Sequence, residues 1–243
     1  MLTIIGKTDI GMIRKQNQDS FKYGTLSDNS VWAVVCDGMG GENGGEVASS
    51  LAVESISQSI TRSYRGDMTA NSVRTMLLSA ISAANIRVYD KAMSSEALSR
   101  MGTTVVAAVV AGGVAHIAYA GDSRVYHISN SSVEQVTKDH TMVQALVERG
   151  EITSDQAKNH PQKHVITRAL GVEQGIDIDY CEVQAALGDV LMICTDGLTN
   201  FVEESEMVDI VRKSGAEGCL DALINTANSR GGADNITIVA IFS

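Results

Sequence analysis

At four places in this 243-residue chain an aspartate stands where an apolar, strand-forming run meets a turn. Val31-Trp32-Ala33-Val34-Val35-Cys36 runs into Asp37-Gly38, and the run ending at Ala120 meets Gly121-Asp122-Ser123. The run ending at Thr195 meets Asp196-Gly197, and Gly231-Gly232-Ala233-Asp234-Asn235 leads into a last apolar run. A lone Asp-Gly after a strand is ordinarily a turn and nothing more. Repetition changes the reading, because core strands that end alike bring their terminal carboxylates to one edge of a sandwich. Like charges that close cannot all stay ionised without cations beside them. Hard divalent ions prefer oxygen ligands, and Mg²⁺ or Mn²⁺ takes six in an octahedron that keeps several waters. Two such ions in one cleft polarise a water and clamp the oxygens of a phosphoryl group.

The rest of the pattern sets the fold class. Strands are expected over Leu2–Thr8, Phe21–Leu26, Val31–Cys36, Thr103–Ala111, Val114–Ala120, Arg124–Ile128, Ile176–Val183, Val190–Thr195 and Ile236–Phe242. Gly112-Gly113 and Gly121-Asp122-Ser123 read as hairpin connections. Leu51, Ala52, Ser55, Ile56, Ser59 and Ile60 recur at helical spacing, and so do Val73, Leu77, Ile81, Ala84 and Val88. Thr69 or Asn71 would cap the second of these helices. Glu203–Lys213 and Glu217–Arg230 are also helical. Such blocks do not alternate as βαβ units do, so the expectation is an α+β chain with antiparallel sheets covered by helices. Asp139 to Gly171 is polar and partly helical, with Val143, Leu146 and Val147 on one face, an excursion from the sheet.

Nineteen Lys and Arg against 29 Asp and Glu give a formal charge of −10, which disfavours nucleic-acid partners. It also requires local cations at any site for an anionic substrate. Arg14-Lys15-Gln16-Asn17-Gln18-Asp19 supplies them. An arginine fork suits a phosphate dianion, although alone it reads equally as a solvated arginine, and Asp19 as a strand-edge turn residue. Cys36, Cys181, Cys194 and Cys219 include no Cys-x-x-Cys pair and read as reduced thiols of a cytoplasmic protein. The start, MLTIIGKTDIG, lacks the features of a signal peptide, and no run is long enough to cross a bilayer.

Other motifs carry less. The Gly-rich Gly38–Gly45 has neither Gly-Lys-Ser/Thr nor the Gly-x-Gly-x-x-Gly register of a nucleotide loop. His140, His160 and His164 lack a cysteine partner or His-Glu-x-x-His spacing and read as ordinary loop histidines. Ser123 has no Gly-x-Ser-x-Gly elbow.

Taken in order, Arg14…Asn17-Gln18-Asp19, Asp37-Gly38-Met39-Gly40-Gly41, Gly102-Thr103-Thr104, Gly121-Asp122-Ser123-Arg124, Asp196-Gly197 and Asp234-Asn235 resemble the motifs of the type 2C metal-dependent serine/threonine protein phosphatases. The resemblance runs from Gly6 to Phe242, and Val165–Gly171 is similar to the compact bacterial members. It implies one catalytic domain over residues 1–243, a sandwich of two central antiparallel sheets flanked by helices, with a flap at about 139–171. It implies that Asp37 bridges two metal ions, that the Gly38 carbonyl joins one of them, and that Asp196 and Asp234 hold the other. Asp122, with Asp196, would help hold a third, weaker ion; Asp19 would act through metal-bound water and Arg14 would grip the substrate phosphate. The implied reaction is attack of a metal-activated water on phosphoserine or phosphothreonine in proteins, reversing a serine/threonine kinase, with a monomer as the default state. Met39 departs from the many relatives with histidine there and cannot donate a proton, which leaves metal-bound water as general acid. Gln18 replaces an acidic residue of some relatives. Two competing functions are a non-catalytic phosphoprotein-binding module, which the retained aspartates oppose, and a hydrolase of small phosphorylated metabolites, which would act poorly on phosphopeptides.

Overall fold

The computed structural model describes residues 2–129 and 132–243, with side chains for all of these except residues 42 and 43. One antiparallel sheet is formed by β1 (Thr3–Asp9), β7 (Arg124–Ile128), β8 (Val133–Gln135), β10 (Val190–Cys194) and β11 (Ile236–Phe242), in the order β1-β11-β10-β7-β8. The other contains β2 (Asp19–Thr25), β3 (Val31–Met39), β5 (Val105–Ala111), β6 (Val114–Ala120) and β9 (Asp179–Gln184) in that order, with the short β4 (Gly102–Thr103) paired to β3. Helices α1 (Gly41–Ser63) and α2 (Ala70–Met93) cover the second sheet, and α6 (Glu204–Ser229) covers the first.

These layers explain why the strands read as unbroken apolar runs. Along β3, Val31, Ala33 and Val35 face the other sheet and meet Ile193, Val239 and Ile241. Val34 and Cys36 face the helices and meet Ile56, Leu77 and Ile81. Both faces are dry, so alternation vanishes, and each fully buried Val, Leu or Ile contributes about 1.5–3 kcal/mol. On the far side, Met192 and Cys194 of β10 pack with Met207, Leu223 and Ile224 of α6. This is the expected α-β-β-α sandwich.

Several boundaries differ from expectation. Helix α1 starts at Gly41, ten residues before the apolar periodicity becomes legible at Leu51. Strand β3 continues through Asp37 and Gly38 to Met39 because those residues find partners, Asp19 and Thr103. The strand expected from Ile176 begins at Asp179. Of the two possible caps on α2, Thr69 serves, its Oγ1 accepting from the Ser72 N–H at 3.2 Å. The two C-terminal helical patterns form one element bent at Gly215, whose φ of 59° and ψ of −167° interrupt it. The excursion at 139–171 carries α3 (Met142–Glu148) and α4 (Ser154–Lys158), each started by a threonine cap.

Candidate active site

Strand register brings the first two carboxylates together. Asp19 and Asp37 are direct partners across β2 and β3. Opposed like charges in a sheet are unfavourable, so the pairing is sustained by its surroundings. The Asp37 N–H donates to Thr104 Oγ1 at 2.9 Å, and its carbonyl accepts from the Thr104 N–H at 2.9 Å and from Thr103 Oγ1 at 2.8 Å. Thr104 Oγ1 shares a 2.8 Å hydrogen bond with Ser123 Oγ, which ties the turn bearing Asp122 to the strand bearing Asp37. Gly38 allows the start of α1 to sit on this strand: a Cβ there would lie 2.1 Å from the Gly45 carbonyl oxygen.

Strands β10 and β11 of the other sheet bring the remaining acids to the same end. Asp196 is the first residue of α5 (Asp196–Thr199), and its Oδ2 accepts from Asn200 Nδ2 at 3.1 Å. Asp234 lies two residues before β11, and Arg14 donates to its Oδ2 at 2.7 Å. Arg14, Asp37, Gly38, Asp122, Asp196 and Asp234 all line one cleft of about 1190 Å³. Asp19 is not among the residues lining it; it is the cross-strand partner of Asp37, 8% exposed, with Oδ2 accepting from Thr195 Oγ1 at 2.9 Å.

Electrostatically the cleft is under tension. Burial, and then the neighbouring Asp196 and Asp234, push the Asp19 carboxyl up to about 7 against hydrogen bonds from Thr237 and Thr195. Burial, then Asp196 and Asp139, raises Asp122 to about 7. Burial, then Asp19, Asp196, Asp122 and Asp234, holds Asp37 well above the usual carboxylate range. Asp196 is raised by burial and by Asp234. Asp19 Oδ1 is buried with no hydrogen-bond partner among the described residues. An orphaned acceptor beside mutually repelling carboxylates fits a site for hard cations, which take oxygen donors. Among the described residues no three His, Cys, Asp or Glu side chains close into an ion cage.

Lys15 and Lys163 join Arg14 around the cleft, the local cations that the overall acidity calls for, and His164 lines it with them. The last two come from residues 139–171, which re-enter the sheet where Thr103 and Leu170 exchange N–H···O bonds of 3.1 and 2.8 Å. His140 is more than a loop histidine. It is buried, its ring Nδ1 accepts from the Gly121 N–H at 3.1 Å, and its backbone N–H donates to the Gly121 carbonyl at 2.9 Å.

Residues 14–235 match the family model for protein phosphatase 2C. The chain belongs to the protein phosphatase 2C family. It is 40% identical over 236 residues to the serine/threonine phosphatase stp of Listeria welshimeri, covering 97% of this chain and 93% of that one. The structure of the Streptococcus agalactiae serine/threonine phosphatase superposes with a TM-score of 0.94 at 29% identity, covering 100% of this chain and 99% of that one. The catalytic domain of the serine/threonine protein phosphatase PstP, solved in complex with two manganese ions, superposes with a TM-score of 0.86 at 29% identity over 99% and 97% of the two chains. This protein phosphatase 2C chain is accordingly a metal-dependent serine/threonine protein phosphatase acting on phosphoproteins.

Some residues that shape the cleft carried no assigned role in the sequence. Asn235 donates from Nδ2 to the carbonyls of Ile10 and Gln16, both at 3.0 Å, and its Oδ1 accepts from the Gln18 N–H at 2.8 Å. One side chain thus pins the whole Arg14 loop. Thr195 positions Asp19, and Asn200 positions Asp196. Thr103, Thr104 and Asn235 stand inside the motifs that resembled the family, but their partners are remote in sequence. No helix is long and apolar enough to cross a membrane among the described residues.

Proposed function

We propose that Asp37, the Gly38 carbonyl, Asp196 and Asp234 hold two divalent cations, Mg²⁺ or Mn²⁺, and that Asp122 with Asp196 holds a third more weakly. The carrying observation is the convergence of these carboxylates, from both sheets, on one cleft that Arg14 also lines. The manganese ions of the PstP structure, a neighbour of the same fold, support the assignment. Bound there, the cations supply Lewis-acid activation of water and neutralise charge on the phosphoryl oxygens.

The chain's own residues bind and orient. Arg14 grips the substrate phosphate with its planar fork, and the phosphate competes with Asp234 for the same guanidinium. Asp19, the buried cross-strand partner of Asp37 and fixed by Thr195, acts through water in the cation site. The attacking group is water, acting directly on phosphorus without a phosphoenzyme. Met39 lines the cleft and offers no proton, so the leaving serine or threonine oxygen takes its proton from water.

The substrates are phosphoproteins made by a serine/threonine kinase. Residues 1–243 act as one catalytic domain with residues 139–171 as a flap, and Lys163, His164 and Ile166 at the cleft wall support that role. The enzyme works in the cytoplasm, a reading supported by four unpaired thiols, with a monomer as its default state. Hydrolysis of a phosphothreonine peptide with Mn²⁺ tests the proposal. Asp37→Asn is expected to lower kcat by about 10³-fold or more with the fold intact. Near-normal turnover by that variant would overturn the assignment, and hydrolysis confined to small phosphorylated metabolites would redirect the substrate class.

A further inference from the structure

The loop that carries Arg14 presents large apolar side chains that the phosphatase chemistry does not use. Ile10 is 41% exposed, Met12 66% and Ile13 69%, immediately before Arg14. A slack loop would fold such side chains inward. This one is fixed. The Gly11 N–H donates to Asp9 Oδ1 at 2.8 Å, and the Met12 N–H donates to the Gly232 carbonyl at 2.7 Å. Asn235 holds the Ile10 and Gln16 carbonyls. Gly11 turns the chain at φ 79°, and a Cβ there would lie 2.3 Å from the Asp234 carbonyl oxygen. The backbone that aims Arg14 at the cleft therefore also holds Met12 and Ile13 out in solvent.

The patch continues into the cleft wall. Met12 rests on Gly232, next to Gly231, which lies against the Phe201 ring, and Phe201 and Ala233 line the cleft. An apolar surface contiguous with a substrate cleft is a contact surface for what enters that cleft.

We propose that Met12 and Ile13 select the substrate: they dock a bulky apolar side chain lying within a few residues of the phosphoserine or phosphothreonine in an extended segment of the phosphoprotein. The proposal rests on the phosphatase reading, with Arg14 on the phosphate. The spacing agrees with it. An extended peptide advances about 3.3 Å per residue, so a residue one to three places from the phosphorylated one reaches the side chains that neighbour Arg14. Charge complements it, since Lys15 on the same loop and Lys163 on the flap line the cleft and suit acidic rather than basic companions.

A panel of phosphothreonine peptides, identical except for Leu or Ser at each of the three positions on either side, tests this. The wild-type enzyme is expected to prefer Leu over Ser in kcat/KM by roughly tenfold for at least one position. The double variant Met12→Ser, Ile13→Ser is expected to lose that preference while hydrolysing p-nitrophenyl phosphate and the all-Ser peptide at the wild-type rate. Both side chains are exposed, so the melting temperature should not move. A wild-type enzyme indifferent to Leu at every position, or a double variant that keeps the preference, overturns the proposal. Absence of p-nitrophenyl phosphate hydrolysis by wild type would instead overturn the phosphatase reading beneath it.

Discussion

Strands β2 and β3 carry carboxylates at both ends, and the two ends are built in opposite ways. At the turn between them Asp28 is satisfied: Oδ1 accepts from the Ser30 N–H at 3.0 Å and Oδ2 from Tyr64 Oη at 2.9 Å. What desolvation it suffers is outweighed by these hydrogen bonds, and its carboxyl sits below the ordinary value. At the other end, roughly 20 Å along the strand, Asp19 and Asp37 face each other with too few donors and further acids close by. One end is local turn chemistry. The other gathers mutually repelling carboxylates that the proposed cations would relieve.

The pH dependence of stability should show the largest contrast. Asp19 and Asp122 titrate near 7 in the folded chain and near 4 when unfolded, so their folded forms hold protons more tightly. Their contribution is complete below about pH 4 and is lost as pH rises through about 7, on the order of a few kcal/mol. Urea unfolding in EDTA should show lower stability at pH 8 than at pH 5, and Asp122→Asn should flatten the slope. Manganese at roughly a hundred times its Kd should return about 3 kcal/mol at pH 8. A metal-free profile that rises over this range would break the comparison.

A smaller effect sharpens it from the side of the Arg14 loop. Asn235→Ala removes three hydrogen bonds and should cost about 2 kcal/mol in denaturant unfolding. It should also raise KM for phosphopeptides, since the loop bearing Arg14 loses its clamp. Unchanged KM would mean that the loop holds its position without Asn235.

The smallest effect belongs to the satisfied end. Tyr64→Phe should cost about 1 kcal/mol, because the bond to exposed Asp28 is screened and the 3.1 Å bond to Ser30 Oγ is the buried one lost, with turnover unchanged. Asp28 titrates below its unfolded value, so its contribution is present above about pH 4 and is lost as pH falls further, the reverse of Asp19.

The sequence made Asp37, Asp122, Asp196 and Asp234 legible because each interrupts an apolar run, and the sandwich was legible because its strands are dry on both faces. Their convergence was not, since it depends on register: Asp19 meets Asp37 because β2 and β3 pair as they do. The early start of α1 was hidden for a related reason. Its first turns contain Gly44 and Gly45, poor helix formers, which are there for close contact: a Cβ at Gly45 would lie 2.6 Å from the Gly38 carbonyl oxygen. The Arg14–Asp234 ion pair spans 220 positions, beyond any local pattern. The four-residue α5 is too short for periodicity to reveal.

The most direct measurement is anomalous diffraction from crystals grown in manganese. Strong peaks inside the cleft, within ligand distance of Asp37, Asp196 and Asp234, are the predicted result. An ion-free cleft, with manganese scattered over the outer surface instead, would contradict the account.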